Sequence, residues 1–132
     1  MALPDQILIR KERSLSADER ATLRSYPLHG QAMLKNVPFL AAATEIAVAA
    51  HERYDGSGFP RGLKGETIPL GARVIAVADV WDELVSGIGD TPVAPAHALD
   101  IMTSERLPHF DPLVLGALTM LQLSASLELP AP

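Results

Sequence analysis

The chain has 132 residues and a mass of 14.1 kDa, and 48% of its residues are hydrophobic, which predicts one folded domain rather than a disordered chain. Its net charge of −5 argues against a general nucleic-acid binder and against docking on anionic lipid by charge alone. No cysteine is present, so disulfides, thiolate nucleophiles and Cys-ligated metal sites are excluded. With no signal peptide and no apolar run long enough for a bilayer, we expect a cytoplasmic protein without membrane insertion.

Hydrophobic spacing, with proline and glycine at the boundaries, predicts helices along most of the chain. Ser16 and Glu19 match a capping box that starts the first helix, and Pro27 is expected to stop or kink it. Asp111 followed by Pro112 is typical of another helix start. The expected helices cover about residues 17–25, 29–35, 39–53, 69–87, 96–106 and 112–123.

The segments outside these helices are predicted to be turns, a loop and a linker. Residues 3–5 are expected to form a turn and residues 7–9 a short apolar anchor. Residues 54–69 contain four glycines and two prolines, which requires a structured loop with positive φ angles and a turn at residues 63–66. Residues 88–95 are a linker. Because no alternating pattern is long enough for a sheet, the predicted fold class is all-α.

His51 and Asp79 are the residues on which chemistry could depend. His51 ends the helix at 39–53, and Asp79 lies in an apolar stretch of the helix at 69–87, which we expect to be central. The two helices are expected to project both side chains into the core. A carboxylate in a core needs a hydrogen bond, an ion pair or a metal, and His and Asp are ligands for Mn, Fe or Zn. The alternative is structural: Asp79 pairs with Arg73 or a backbone N–H, and His51 caps a helix end.

The segment over residues 50–87 resembles the HD-GYP family, bacterial phosphodiesterases that hydrolyse cyclic di-GMP. The family pattern H-H-E-x-x-D-G-x-G-Y-P-x-G-L-x-G-x-x-I-P is matched at most positions by residues 50–69, with Ala50 in place of the first His and Phe59 in place of Tyr. The A-R-I-x-A-V-A-D pattern that follows in the family is similar to residues 72–79. With shorter matches on either side, the resemblance covers most of residues 1–120.

This resemblance implies a helical bundle of the HD superfamily in which two or three metal ions bind a phosphate and activate a hydroxide. His51 and Asp79 occupy positions of two family metal ligands. Glu52 and Asp82 are candidates for hydrogen bonds to those ligands, or equally for exposed salt bridges. The glycine-rich loop is associated in the family with contacts to GGDEF domains, the synthases of cyclic di-GMP; the alternative is that its glycines only satisfy the backbone and its aromatic residue packs inward. The loop residues concerned are Asp55, Gly56, Gly58, Phe59 and Pro60.

Several positions depart from the family pattern. The family's His-Asp doublet and following Lys lie before the Leu-Pro-Asp turn at which this sequence begins, so those helices are expected to be absent. Tyr26 stands where the family has a His ligand, and Ala50 replaces the first of the paired histidines. Residues 88–91, Ile-Gly-Asp-Thr, replace an Arg-Pro-Tyr-Arg segment that meets the substrate phosphates, and an aliphatic side chain has no donor for phosphate.

These departures predict a partial HD-GYP-like domain over residues 1–124, without the N-terminal HD helices, and a tail over residues 125–132. The predicted function is a non-catalytic regulatory or protein-interaction module in cyclic di-GMP signalling, with no cofactor. Its expected partners are a GGDEF-type protein or a response regulator, or a second copy of the chain bound through apolar surface on the helices that contain Ala47 and Val77. The alternative is a phosphodiesterase that uses Mn, Fe or another divalent metal, with the missing ligands supplied by a partner chain or an upstream segment.

Overall fold

The computed structural model describes residues 14–88 and 90–128, and the turn and apolar anchor predicted at residues 3–9 lie outside them. No strand occurs in the described residues, which confirms the all-α prediction. None of the helices in this part of the chain has the length and hydropathy needed to cross a membrane. The five α-helices are α1 (Ala17–Leu34), α2 (Ala41–Ala49), α3 (Leu70–Ser86), α4 (Pro95–Ser104) and α5 (Pro112–Glu128).

Helix α1 begins as predicted and ends later than predicted. The Ser16 hydroxyl accepts a hydrogen bond from the Glu19 N–H at 3.2 Å, and the Glu19 carboxylate accepts one from the Ser16 N–H at 2.8 Å, so the capping box is confirmed. Pro27 lies inside one continuous helix, and the predicted break there is wrong. A proline removes a single backbone hydrogen bond, and packing of α1 along α2 offsets that loss.

Helix α2 is shorter than the predicted helix over 39–53. A 3₁₀ turn over Pro38–Leu40 precedes it, and it ends at Ala49. The Glu52 N–H donates to the Ala49 carbonyl at 3.0 Å, a three-residue separation that tightens the chain into a turn. His51 therefore lies in the turn after α2, outside the helix, and does not cap it.

The main core is formed where α3, α4 and α5 meet. Its buried side chains are Val77, Met102, Phe110 and Leu115, and Trp81 packs against them. Val77 itself is therefore internal. The helix that contains it does have exposed apolar residues, which lie nearer its start: Leu70, Val74 and Ile75. The expectation of a central helix holds for one side of α3 only.

The C-terminal helix runs to Glu128, five residues past the predicted end at residue 123. Its start is as predicted, since the Asp111 carboxylate accepts the Leu113 N–H at 2.8 Å and Pro112 is its first residue. The same carboxylate is buried and accepts a hydrogen bond from the Arg73 guanidinium at 2.5 Å. Because Arg73 also donates to the Ile68 carbonyl at 3.0 Å, one arginine connects the start of α3 to the start of α5.

Replacement of Asp111 by Asn should cost about 3 kcal/mol of folding stability at pH 7, because Arg73 would lose its buried charge partner. Burial raises the pKa of Asp111, but hydrogen bonds from Arg73 and from the N–H groups of Leu113 and Val114 outweigh burial and hold the pKa below its usual value. A carboxyl with a lowered folded pKa stabilises the protein above its unfolded pKa of about 3.9 and loses that contribution as the pH falls through the folded pKa.

Urea unfolding at a series of pH values measures this effect. The stability difference between the wild type and Asp111→Asn should be constant near neutral pH and should shrink below about pH 4. Asp82→Asn is the control, because Asp82 is exposed and its carboxylate accepts only from the neighbouring Ser86 hydroxyl within the described residues. A difference that stays the same down to pH 2 would contradict the assignment.

Candidate functional site

The glycine-rich loop between α2 and α3 is fixed to the bundle by one buried carboxylate. Glu52 is 2% exposed. One of its oxygens accepts the Arg61 N–H at 2.7 Å, and the other accepts the Leu63 N–H at 3.0 Å. A carboxylate that receives two backbone donors satisfies loop groups that would otherwise be buried without partners, so Glu52 determines the path of the loop.

The loop folds back so tightly that one position accepts only glycine. The Phe59 N–H donates to the His51 carbonyl at 3.3 Å. A Cβ placed on Gly58 would lie 2.3 Å from the Arg53 nitrogen and 2.6 Å from the His51 oxygen, which are both backbone atoms. Gly56 has a φ of +85°, which agrees with the positive φ angles predicted for this loop.

The aromatic ring at the tip of the loop is part of a stack that includes α1. Phe59 is half-buried, and its ring lies parallel to the His51 imidazole with centroids 5.1 Å apart. The Arg24 guanidinium of α1 lies 5.8 Å from the Phe59 centroid, within the range of a cation–π contact. Phe59 therefore packs between two side chains of its own chain, and it still presents part of its ring to solvent.

A second set of contacts, which the sequence analysis missed, ties the loop to the α1–α2 hairpin. The Arg61 guanidinium donates to Glu45 of α2 and to Gln31 of α1, both at 3.0 Å. Gln31 and Glu45 are themselves hydrogen-bonded at 2.5 Å. These residues are 14 to 30 positions apart in the chain, and no motif spacing connects them.

The opposite side of the loop is attached to the segment before α5. The Tyr54 N–H donates to the His109 carbonyl at 2.9 Å, and the Tyr54 carbonyl accepts the Gly65 N–H at 2.9 Å. Burial and the nearby Arg53 charge lower the pKa of His109. The Asp55 carboxylate accepts hydrogen bonds from the Ser57 hydroxyl and N–H, and these lower the pKa of Asp55. Each end of the loop is therefore held by the fold.

His51 and Asp79 do not project into the core as predicted. Both residues are exposed, and the Arg73 that was expected to pair with Asp79 binds Asp111 instead. Asp79 follows the buried Val77 by two positions, which places it on the other side of α3 from Val77. Among residues 14–88 and 90–128, no three His, Cys, Asp or Glu side chains come close enough together to hold a metal ion. The donors described here therefore do not fit the metal centre that the resemblance implies.

Glu52 and Asp82, the two candidates for supporting hydrogen bonds, differ in their surroundings. Glu52 is buried and serves the loop backbone, so neither a metal-supporting bond nor an exposed salt bridge describes it. Asp82 is exposed on α3 and accepts a hydrogen bond from Ser86 at 2.9 Å. The two carboxylates therefore differ in burial, and the sequence pattern alone did not distinguish them.

Comparison with known proteins places the chain in a family. Residues 1–114 match the HD domain. The chain belongs to the HD domain family. It is 40% identical over 126 residues to a probable cyclic di-GMP phosphodiesterase of Vibrio cholerae, covering 89% of this chain and 28% of that protein. It is also 40% identical over 124 residues to the cyclic di-GMP phosphodiesterase response regulator RpfG of Xanthomonas campestris, covering 89% of this chain and 32% of the relative.

A third similar protein is a cyclic di-GMP phosphodiesterase of Thermotoga maritima, which is 41% identical over 88 residues, or 65% of this chain and 24% of the relative. The chain thus spans between a quarter and a third of the length of these curated relatives. What the similarity establishes is the HD domain and its relation to cyclic di-GMP phosphodiesterases.

Glu52→Gln should loosen the glycine-rich loop while the helices remain folded. The glutamine amide retains one acceptor oxygen but presents an NH₂ group to the second backbone donor. We therefore expect the free energy of unfolding to fall by about 1–3 kcal/mol and hydrogen exchange to become faster at the Arg61 and Leu63 amides. Glu66→Gln is the matched control in the same loop, because Glu66 is exposed and its substitution should change stability by less than about 0.5 kcal/mol. Equal effects of the two substitutions would refute the role given to Glu52.

Proposed function

We propose that this HD domain is a non-catalytic regulatory or protein-interaction module of cyclic di-GMP signalling. The observation that carries the proposal is the contrast between two parts of one motif. The loop Asp55–Pro60 matches the family pattern except at Phe59 and is held at both ends, whereas His51 and Asp79 are exposed and belong to no group of three possible metal ligands in the described residues. A loop held in a fixed shape, away from any group of metal ligands, is expected of a binding surface.

The residues at other family positions support the same proposal. Tyr26 is exposed on α1, and a phenol is a poor substitute for a histidine ligand. Ala50 has no ligand atom at all. Ile88 is 66% exposed and has no donor for a phosphate. Metal binding and phosphate binding are thus both weakened at the residues that the resemblance assigns to them.

The proposed partners are a GGDEF-type protein or a response regulator, bound through the glycine-rich loop, or a second copy of the chain. The relative from Xanthomonas campestris is named as a response regulator, which supports a partner of that type. A second copy is supported by apolar residues of α3 and α5 that this part of the chain leaves uncovered, among them Leu70, Leu113 and Leu121. Ala47 of α2 is exposed as well.

The alternative is a metal-dependent phosphodiesterase whose remaining ligands come from a partner chain or an upstream segment. The names of the relatives favour it, since all three are phosphodiesterases. In that case His51 and Asp79 would be exposed because they face the missing ligands. The two functions differ in whether this chain hydrolyses cyclic di-GMP and whether a metal stabilises it.

The purified chain should release no product from cyclic di-GMP when Mn²⁺ or Fe²⁺ is supplied, and the Xanthomonas campestris relative serves as the active control.

The wild type and Asp79→Asn should have equal melting temperatures, both with Mn²⁺ and with a chelator. Asp79 is exposed and its side chain has no partner in the described residues, so its replacement should not change stability. Turnover by the chain, or a Mn²⁺-dependent rise in melting temperature that Asp79→Asn abolishes, would favour the phosphodiesterase.

Binding through the loop is tested with two phenylalanine variants. A GGDEF domain titrated by calorimetry should bind the wild type and the Phe39→Ala variant equally, and Phe59→Ala should weaken binding by about tenfold or more. Phe39 is 85% exposed and lies before α2, outside the loop, so it controls for loss of an exposed aromatic ring. If Phe39→Ala and Phe59→Ala weaken binding equally, or no GGDEF domain binds, then the loop is not the interface with this partner.

A further inference from the structure

A cavity of about 370 Å³ lies between α1 and α2, and its lining residues belong to these two helices and to the segment that joins them. Small residues face it, Ala32 from α1 and Ala41 from α2. The bulky neighbours Met33 and Phe39 are 80% and 85% exposed and so do not fill it. Leu28, Leu34 and Val37 complete an apolar wall, and the volume is within the range of small-molecule sites.

One polar atom in the wall of this cavity has no partner. Thr44 is 8% exposed, and its hydroxyl makes no hydrogen bond within the described residues. A buried hydroxyl without a partner destabilises a protein, and native structures contain few of them. A ligand with a hydrogen-bonding group would supply the missing partner.

The charges around the cavity indicate the sign of that ligand. Glu45 lines the wall, but its carboxylate is already engaged by Gln31 and by the Arg61 guanidinium. Lys35 lines the same cavity, and no hydrogen bond or ion pair engages its ammonium group in the part of the chain that the structure describes. The unmatched charge is therefore positive, and both Lys35 and Thr44 can donate to a carboxylate.

We propose that the α1–α2 cavity binds a small carboxylate with an apolar body, and that its occupancy is transmitted to the glycine-rich loop through Arg61. The transmission follows from shared contacts, because Gln31 and Glu45 line the cavity and also hold the Arg61 guanidinium. The Arg61 N–H is in turn fixed by Glu52. This inference does not depend on the proposed function.

Sodium hexanoate is the probe, titrated into the ¹⁵N-labelled full chain and followed by NMR. We expect saturable shifts at the amides of Lys35, Ala41 and Thr44, accompanied by shifts at Arg61. Hexan-1-ol, which has the same apolar body without the charge, should bind about tenfold more weakly. The site would be overturned if hexanoate caused no saturable shift at tens of millimolar, or if the shifts were confined to α3 and α5. It would also be overturned if hexan-1-ol bound as tightly as hexanoate.

Two substitutions test the named groups. Lys35→Met should weaken the binding of hexanoate by about tenfold. Lys64 is exposed and lies outside the cavity, so Lys64→Met should leave the binding of hexanoate unchanged. Thr44→Val keeps the shape of the side chain, so it should raise the melting temperature of the free chain and weaken hexanoate binding. Equal effects of both lysine substitutions, or a Thr44→Val variant that binds as the wild type does, would contradict the site. Binding without any shift at Arg61 would contradict the transmission.

Discussion

The shape of the glycine-rich loop depends on the two hydrogen bonds that the Glu52 carboxylate accepts from loop N–H groups. Glu52 lies three residues after the end of α2, and its oxygens fix the N–H groups of Arg61 and Leu63 nine and eleven residues later. The chain between Glu52 and Arg61 brings Phe59 over His51 and leaves no room for a side chain at Gly58. Removal of this acceptor would loosen the loop without disturbing the core.

The loop and the core are held by separate sets of contacts. The core depends on Val77, Met102, Phe110 and Leu115, with the Arg73–Asp111 pair at its edge. The loop depends on Glu52, on Arg61 with its partners in the hairpin, and on the Tyr54 contacts. Neither set of contacts includes Asp79, so replacement of Asp79 should leave both the loop and the core in place.

Charge is distributed unevenly between the two halves of the described chain. From residue 74 to residue 105 there is no Lys or Arg, and the six acidic residues are Asp79, Asp82, Glu83, Asp90, Asp100 and Glu105, all exposed. The loop carries exposed charges of both signs, since Arg61 and Lys64 accompany Asp55 and Glu66. The net charge of −5 is therefore carried largely by the stretch over residues 74–105, which should repel acidic partners.

The sequence by itself determined the helical fold class, the capping box at Ser16, the start of α5 at Asp111 and the HD family, because each depends on neighbouring residues or on a long contiguous motif. Tertiary structure decided that α1 continues through Pro27, since packing against α2 offsets the lost hydrogen bond. It also decided which carboxylate is buried. A helical pattern places Asp79 among apolar neighbours, but only the packing of α3 shows that its side faces solvent, while Glu52 and Asp111 meet donors that lie far along the chain.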